Sequence, residues 1–199
     1  MKAALAVLTL CIALLRPSAG LGMDAAQLGE LLDAAIGDAE RTCAVITMLD
    51  REIASRPDDE SLLTLRIAAY GLLADPYSAR PDVEALAALH PDSPPFQMQK
   101  CLYAEATGAQ QEENRLCYLR VARLCRQSDK ADEHSQEYLL ALLLADSPEA
   151  EEAKRRFLAG LTDSPMDQAL KEVLADFTRE KFVKKVSPET IRHPCPRQR

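Results

Sequence analysis

The residues of this chain best suited to chemistry are its cysteines, and two of them frame one predicted helical hairpin. The segments FQMQKCLYAEATG and RLCYLRVARLC place Cys101 and Cys117 16 residues apart, with a turn at residues 107–109 midway between them. Cysteine side chains support metal ligation, thiol redox chemistry or a structural disulfide. Which of the three applies depends on their spacing and on the compartment in which the chain folds.

The spacing argues against a metal centre and against a redox motif. No two cysteines form a CxxC pair, and no histidine lies within a few residues of Cys101, Cys117 or Cys125. Structural zinc usually recruits its ligands in close pairs, and a thioredoxin-like site requires CxxC. We therefore expect neither a metal ion nor a thiol redox site.

An antiparallel hairpin predicts a disulfide between Cys101 and Cys117. Positions equidistant from the turn face each other, and packed helices lie about 8–10 Å apart, so inward-facing cysteines there come within bonding range. Cys117 and Cys125 lie eight residues apart on one helix, which is roughly 12 Å and too far for a bond. A disulfide of Cys125 would therefore have to involve Cys43 or Cys195. The alternative for the five cysteines that follow the expected signal peptide is burial as small apolar residues.

The N-terminal sequence MKAALAVLTLCIALLRPSAGLGM predicts export. A lysine precedes an apolar run at residues 3–15, and small residues follow up to Gly20 and Gly22, which is the layout of a secretory signal peptide. The run is shorter than the roughly 20 residues that cross a bilayer. We expect a signal peptide within residues 1–22 that is removed by cleavage after Gly20 or Gly22. The protein is then expected to be periplasmic or secreted, without stable membrane insertion. Translation from Met23 is the alternative start.

The charge of the chain argues against nucleic acid as a partner. Removing Lys2 and Arg16 from the 24 basic residues leaves 22 against 31 acidic residues, a formal charge of −9. Binding to nucleic acid needs a basic face that displaces counterions. Residues 24–60 carry ten acids and three arginines, whereas residues 179–199 carry seven bases and two acids. The acidic N-terminal third is therefore a candidate docking surface for a basic partner.

The composition predicts an all-α domain. Leucine and alanine dominate, tryptophan is absent, aromatic residues make up 5%, and there are only seven glycines, which favours helices over strands. We expect antiparallel helices over residues 23–186, as a solenoid or an irregular bundle, and an irregular basic tail at residues 187–199.

Caps and prolines predict where individual helices begin. Asp24 can cap the first helix, and Gly37 with Asp38 interrupts and restarts it. The pairs Ser147-Pro148 and Ser164-Pro165 each read as a cap followed by a first-turn proline. Pro81 is expected in the first turn of a short helix, and the last helix is expected to continue from Ser164-Pro165 to about residue 186.

Two proline-containing breaks lie one repeat period apart. The segments RPDDESLL and HPDSPPFQ place Pro57 and Pro91 34 residues apart, the period of the tetratricopeptide repeat. With Pro57 as the proline that ends a repeat, Tyr70 and Ala79 occupy the aromatic and small positions of that motif. Over about residues 38–126 the chain resembles a degenerate tetratricopeptide-repeat array.

The resemblance is broken at several positions. Arg66 stands where leucine is usual, Ile67 where a small residue is usual, and Pro81 inside the expected second helix. In the following unit, Gln97 and Arg120 occupy positions that are normally apolar or small. An irregular helical bundle is the alternative architecture.

The resemblance implies a protein-binding scaffold with a concave surface lined by the first helix of each pair, and it implies no catalysis. We expect Arg66, Tyr70, Tyr103 and Tyr138 to contact the partner, since tyrosines are enriched at interfaces. The sequence contains no GxSxG, HExxH, GxxxxGK or GxGxxG motif. We therefore expect no catalytic residues and no cofactor.

Two functions fit these observations. The first is an exported, non-enzymatic helical-repeat scaffold that binds one protein partner. The alternative is a periplasmic immunity or inhibitor protein that neutralises a secreted toxin or effector enzyme by occluding its active site. An enzyme whose site is assembled from distant residues is a third hypothesis, and a deep pocket with clustered titratable groups would support it.

Overall fold

The computed structural model describes residues 22–127, 135–186 and Cys195, and within these residues the chain forms helices and no strand. This confirms the all-α fold class. The helices are α1 (Ala25–Asp33), α2 (Ala39–Ser55), α3 (Glu60–Leu72), α4 (Pro76–Leu89), α5 (Pro94–Ala106), α6 (Gln111–Gln127), α7 (Gln136–Leu144), α8 (Ala150–Ala159), α9 (Pro165–Ala175) and α10 (Arg179–Val186). The expected signal peptide, apart from Gly22, and the expected basic tail, apart from Cys195, lie outside the described residues.

The first two helices begin where the caps indicate. Asp24 accepts a hydrogen bond from the backbone of Gln27 at 2.7 Å, and the Gln27 side chain bonds back to the Asp24 amide, which forms a capping box. Gly37 has a φ of +83°, a conformation that favours glycine, and it ends the turn that follows α1. Asp38 then caps α2 by accepting from the Arg41 amide at 3.1 Å.

Two of the predicted helix starts were wrong. Asp75 caps a longer α4 that opens with Pro76, so Pro81 lies inside the helix and not in its first turn. Helix α8 begins at Ala150, because the chain after Ser147 first makes a separate turn. The third start is confirmed: Ser164 caps α9 by accepting from the Asp167 amide at 3.1 Å.

The last predicted helix is divided into α9 and α10. The hydroxyl of Thr178 accepts a hydrogen bond from the Lys181 amide at 3.2 Å, which starts α10 afresh. Threonine side chains compete in this way with continued helical bonding. The rings of Phe177 and Phe182 then pack across the break, with centroids 5.7 Å apart.

Each helix from α1 to α7 packs on the next one along the chain, and α1 also contacts α3, α5 contacts α7, and α10 contacts α5. Two apolar cores result. The N-terminal core, from α1–α4, contains Leu28, Leu49, Leu62, Ile67, Val83 and Leu86, and the C-terminal core, from α5–α9, contains Met98, Cys101, Tyr118, Val121, Tyr138 and Leu144. None of the helices in the described ranges is long and apolar enough to cross a membrane.

Because successive helices run in opposite directions, the turns fall at two opposite ends of the fold. We call "loop end" the end that carries the α1–α2, α3–α4 and α5–α6 turns. A hydrogen bond of 3.0 Å from Arg80, in the first turns of α4, to Thr107, in the α5–α6 turn, joins two of them. Pro57 and Pro91 lie in turns at the opposite end, one before each of two hairpins. The tetratricopeptide assignment itself stays a prediction.

Candidate partner-binding surface

The α5–α6 hairpin brings Cys101 and Cys117 to disulfide-bonding distance. Their Cα atoms lie 5.7 Å apart, and Cys101 is fully buried whereas Cys117 is partly exposed. The pair sits symmetrically about the turn, which is the geometry that the sequence predicts.

A second pair joins Cys43 to Cys195, so the expectation that Cys125 bonds to one of these two was wrong. Their Cα atoms lie 5.4 Å apart although 152 residues separate them in sequence. Cys43 is in the second turn of α2, beside the loop end, and both residues pack against the N-terminal core. The end of the chain is therefore tied to its beginning. Cys125 is a buried thiol; burial raises its pKa, and a hydrogen bond with Ser135 opposes that shift.

Arg66 acts as an internal clamp. Its Nε and Nη2 atoms donate to the two carboxylate oxygens of Asp82 at 2.7 and 2.6 Å, and Nη1 donates to Asp50 at 2.6 Å. These bonds, chiefly those to Asp82, raise the pKa of Arg66. The guanidinium links α2, α3 and α4, so the position at which the repeat motif has leucine is filled by an ionic cross-link. Three of the five N–H donors of Arg66 are therefore bonded within the fold, and its side chain is only 19% exposed.

Tyr70 and Tyr103 are both half-buried and pack against the N-terminal core. Burial raises the pKa of each phenol, and the negative charge of Asp50 adds to the effect at Tyr70. Both tyrosines lie in the last turns of their helices, close to the loop end. They remain candidates for contact through their exposed edges.

Tyr138 does not belong to a binding surface. It is fully buried in the C-terminal core, and its hydroxyl accepts hydrogen bonds from Arg126 at 3.0 Å from Nε and 2.5 Å from Nη2. Arg126 also pairs with Glu149. The expectation that Tyr138 contacts the partner was wrong. Its side chain is enclosed by the C-terminal core, and its hydroxyl bonds to Arg126 within the fold.

A buried ionic network that sequence reasoning missed joins α5, α6 and α10. Glu105, whose side chain is 5% exposed, accepts from the Tyr118 hydroxyl at 2.7 Å and pairs with Arg179. Arg179 also donates from Nε to the carbonyl of Leu144 at 2.9 Å. Burial first, and then the bond to Glu105, raise the pKa of Tyr118. No local signal could reveal this network, because its partners lie far apart in the sequence.

An open cleft lies beside this network, and its lining residues connect helices and do not form a catalytic arrangement. It encloses about 600 Å³ and is lined by Gln111, Asp146, Thr178, Arg179, Glu180 and Val183. Arg179 is already committed to Glu105 and Leu144, and the lining offers no nucleophile paired with a base. Among the described residues, no group of three or more histidines, cysteines or carboxylates could hold a metal ion.

The loop end exposes three large apolar side chains. Ile36 in the α1–α2 turn is 65% exposed, Leu72 at the end of α3 is 45% exposed, and Tyr77 at the start of α4 is 53% exposed. We call these residues the apolar tip. Large apolar side chains that are exposed close together mark interaction sites, whereas isolated ones are common.

Helices α1 and α3 contact each other on the way to the loop end. A Cβ atom placed on Gly29 of α1 would lie 3.7 Å from Cδ2 of Leu65 on α3. Ile36 lies in the turn after α1 and Leu72 ends α3, so the two exposed side chains belong to the same end of the fold although 36 residues separate them.

Acidic residues flank Ile36 in the sequence. Asp33 and Glu40 are exposed, whereas the half-buried Asp38 caps α2 and pairs with Arg41. We call Asp33 and Glu40 the acidic border of the apolar tip. A surface of this kind complements an apolar patch edged by lysine or arginine.

Comparisons with protein-family models, with curated proteins and with solved structures found no match for this chain.

Proposed function

We propose that this chain is an exported, non-enzymatic helical protein that binds one protein partner through the apolar tip and its acidic border. The observation that carries the proposal is the placement of Ile36, Leu72 and Tyr77, three large apolar side chains that are each about half or more exposed at one end of the fold. Such a centre gains free energy when a partner covers it, and the acids select a partner with basic residues at the edge.

The rest of the fold supports this role by holding the tip in place. Arg66 joins the three helices behind the tip, and the Cys43–Cys195 pair fixes α2 next to it. A surface that is ordered before binding loses less conformational entropy when the partner arrives. The half-buried Tyr70 and Tyr103 lie behind the same end and can extend the contact.

The second candidate is an inhibitor of a secreted toxin or effector enzyme. The acidic border favours it, because a preorganised negative surface suits the basic active-site cleft of an enzyme that acts on an anionic substrate. The two roles differ in outcome. A scaffold leaves the activity of its partner intact, whereas an inhibitor abolishes it at stoichiometric concentration.

Affinity capture of the partner with matched variants tests the proposal. Ile36→Asp places a charge at the centre of the tip, and Leu116→Asp makes the same change at a position that is 54% exposed in the second turn of α6, outside the apolar tip. We expect Ile36→Asp to weaken binding at least about tenfold, as for a residue at an interface centre, and Leu116→Asp to leave it unchanged. Equal binding by both variants would place the interface elsewhere.

A further inference from the structure

Side chains of α2 hold the backbone where the chain enters α1. The Met23 nitrogen donates to Glu52 Oε1 at 3.1 Å. Arg56 Nη2 donates to the Met23 carbonyl at 3.1 Å and to Glu52 Oε2 at 2.9 Å. The Glu52 side chain is only 18% exposed. The Glu52 carboxylate in the last turn of α2 and the guanidinium of Arg56, which follows α2, thus bond to the amide and the carbonyl of Met23.

Gly22, before Met23, lies next to the Glu52 carboxylate. A Cβ atom at Gly22 would lie 2.7 Å from Glu52 Oε2, so a larger residue there would displace this flexible side chain. Asp24, after Met23, caps α1. Within the described residues, hydrogen bonds to side chains at the end of α2 thus begin at Met23.

The sequence alone leaves two places for cleavage of a signal peptide. Small residues are needed one and three positions before the cut, and both Ser18-Ala19-Gly20 and Gly20-Leu21-Gly22 provide them. The position of the Met23 nitrogen bears on the choice between them, because cleavage after Gly22 would create a free amine beside the Glu52 carboxylate. We propose that the peptide bond between Gly22 and Met23 is the processing site, and that the new α-ammonium group of Met23 pairs with Glu52.

The chemistry of the cut explains the pairing. Hydrolysis adds water across the Gly22–Met23 bond, so Gly22 leaves as a carboxylate and Met23 gains a free amine, which takes up a proton at neutral pH. The neutral amide that bonds to Glu52 becomes a cation at the same position. A charge-assisted hydrogen bond is roughly twice as strong as a neutral one. Cleavage thus adds an ion pair at the entry to α1. The inference rests on the proposed export.

The intact mass of the exported protein tests the site. We expect a chain that begins at Met23. A chain that begins at Leu21 would overturn this inference and leave export standing, whereas a soluble chain that retains Met1 would overturn both. A Met23→Ala variant separates cleavage from translation that starts at Met23: cleavage yields a protein beginning with the new alanine, and a translational start yields none.

A thermal unfolding cycle tests the ion pair. Glu52→Gln is made in a chain that begins at Met23 and in one that begins at Leu21, with the exposed Glu30→Gln as the matched control. We expect Glu52→Gln to lower Tm by about 2–4 °C more in the chain that begins at Met23. Glu52→Gln weakens the bond from Arg56 equally in both chains, so this contribution cancels when the two decreases in Tm are subtracted. An equal decrease in both would overturn the pairing.

Discussion

Glu105 on α5 and Arg179 on α10 form a buried ion pair across 74 residues of sequence. The side chain of Glu105 is 5% exposed and that of Arg179 is 17% exposed, so neither charge is well solvated. The pair attaches the last described helix to the middle of the fold. Removing one partner leaves the other charge buried and uncompensated, which is costly.

We therefore expect Arg179→Ala to lower the free energy of unfolding by about 3 kcal/mol. Tyr118→Phe removes one hydrogen bond to the same carboxylate and should cost about 1 kcal/mol. Lys181→Ala, on the exposed side of α10, should change stability by less than about 0.5 kcal/mol. Urea denaturation measures all three. A loss for Arg179→Ala no greater than that for Lys181→Ala would contradict the network.

Arg66→Met tests whether Arg66 is a clamp and not a contact residue. The substitution leaves Asp82, whose side chain is 4% exposed, without its two charge-assisted bonds. We expect a loss of about 3 kcal/mol in the free energy of unfolding. Arg51→Met, an exposed neighbour on α2, is the control and should be nearly neutral. If Arg66→Met weakened partner binding without loss of stability, the residue would belong to the interface after all.

Two glycines should respond to alanine in opposite directions. Gly37 has a φ of +83°, which strains an L-residue, so Gly37→Ala should cost about 1 kcal/mol or more. Gly71 lies inside α3, where alanine is the better helix former, so Gly71→Ala should add about 0.5–1 kcal/mol. Neither added Cβ meets an atom within 4 Å, so packing does not interfere. Thermal unfolding of the two variants compares the signs directly.

Peptide mapping without reductant should show Cys101 linked to Cys117 and Cys43 linked to Cys195. In the chain-entropy model, closing a loop of 15 residues adds roughly 3 kcal/mol, and the longer loop adds roughly 5 kcal/mol. The double variant Cys43→Ser with Cys195→Ser should therefore destabilise the protein more than Cys101→Ser with Cys117→Ser. A linked peptide containing Cys125 would contradict this pairing.

Local chemistry made part of the fold predictable. Asp24, Asp38 and Ser164 cap helices as their types and neighbours indicate, because a capping bond spans only three residues. Ser147-Pro148 carries the same signal but makes a separate turn, and Thr178 starts a helix inside an apparently continuous one. Local propensity competes there with packing, which sequence periodicity does not report.

The candidate site was less predictable because it depends on distant partners. Tyr138 has the type of an interface residue, yet Arg126 and the C-terminal core enclose it. Arg66 lies on a helix that was predicted to line the binding surface, yet it donates hydrogen bonds to Asp82 and Asp50 within the fold. The apolar tip depends on the packing of α1 against α3, which joins segments far apart in the sequence and does not follow from any pattern near Ile36 or Leu72.

Binding through the acidic border should weaken as salt increases. Asp33 and Glu40 are exposed, and charges of this kind are screened beyond a Debye length of about 8 Å at physiological ionic strength. We expect the association rate to fall more than the dissociation rate rises, because rim charges act mainly on encounter. Surface plasmon resonance at several salt concentrations measures both rates. An association rate that does not depend on salt would remove the acids from the interface.

Site-specific photo-crosslinking tests the central claim most directly. A photoreactive residue is placed at Ile36, at Leu72 or, as a control of similar exposure, at Leu116, and the protein is irradiated in its native cells. The account predicts one and the same protein crosslinked from Ile36 and from Leu72, and none from Leu116. A partner crosslinked from Leu116 and from neither position of the tip would contradict it.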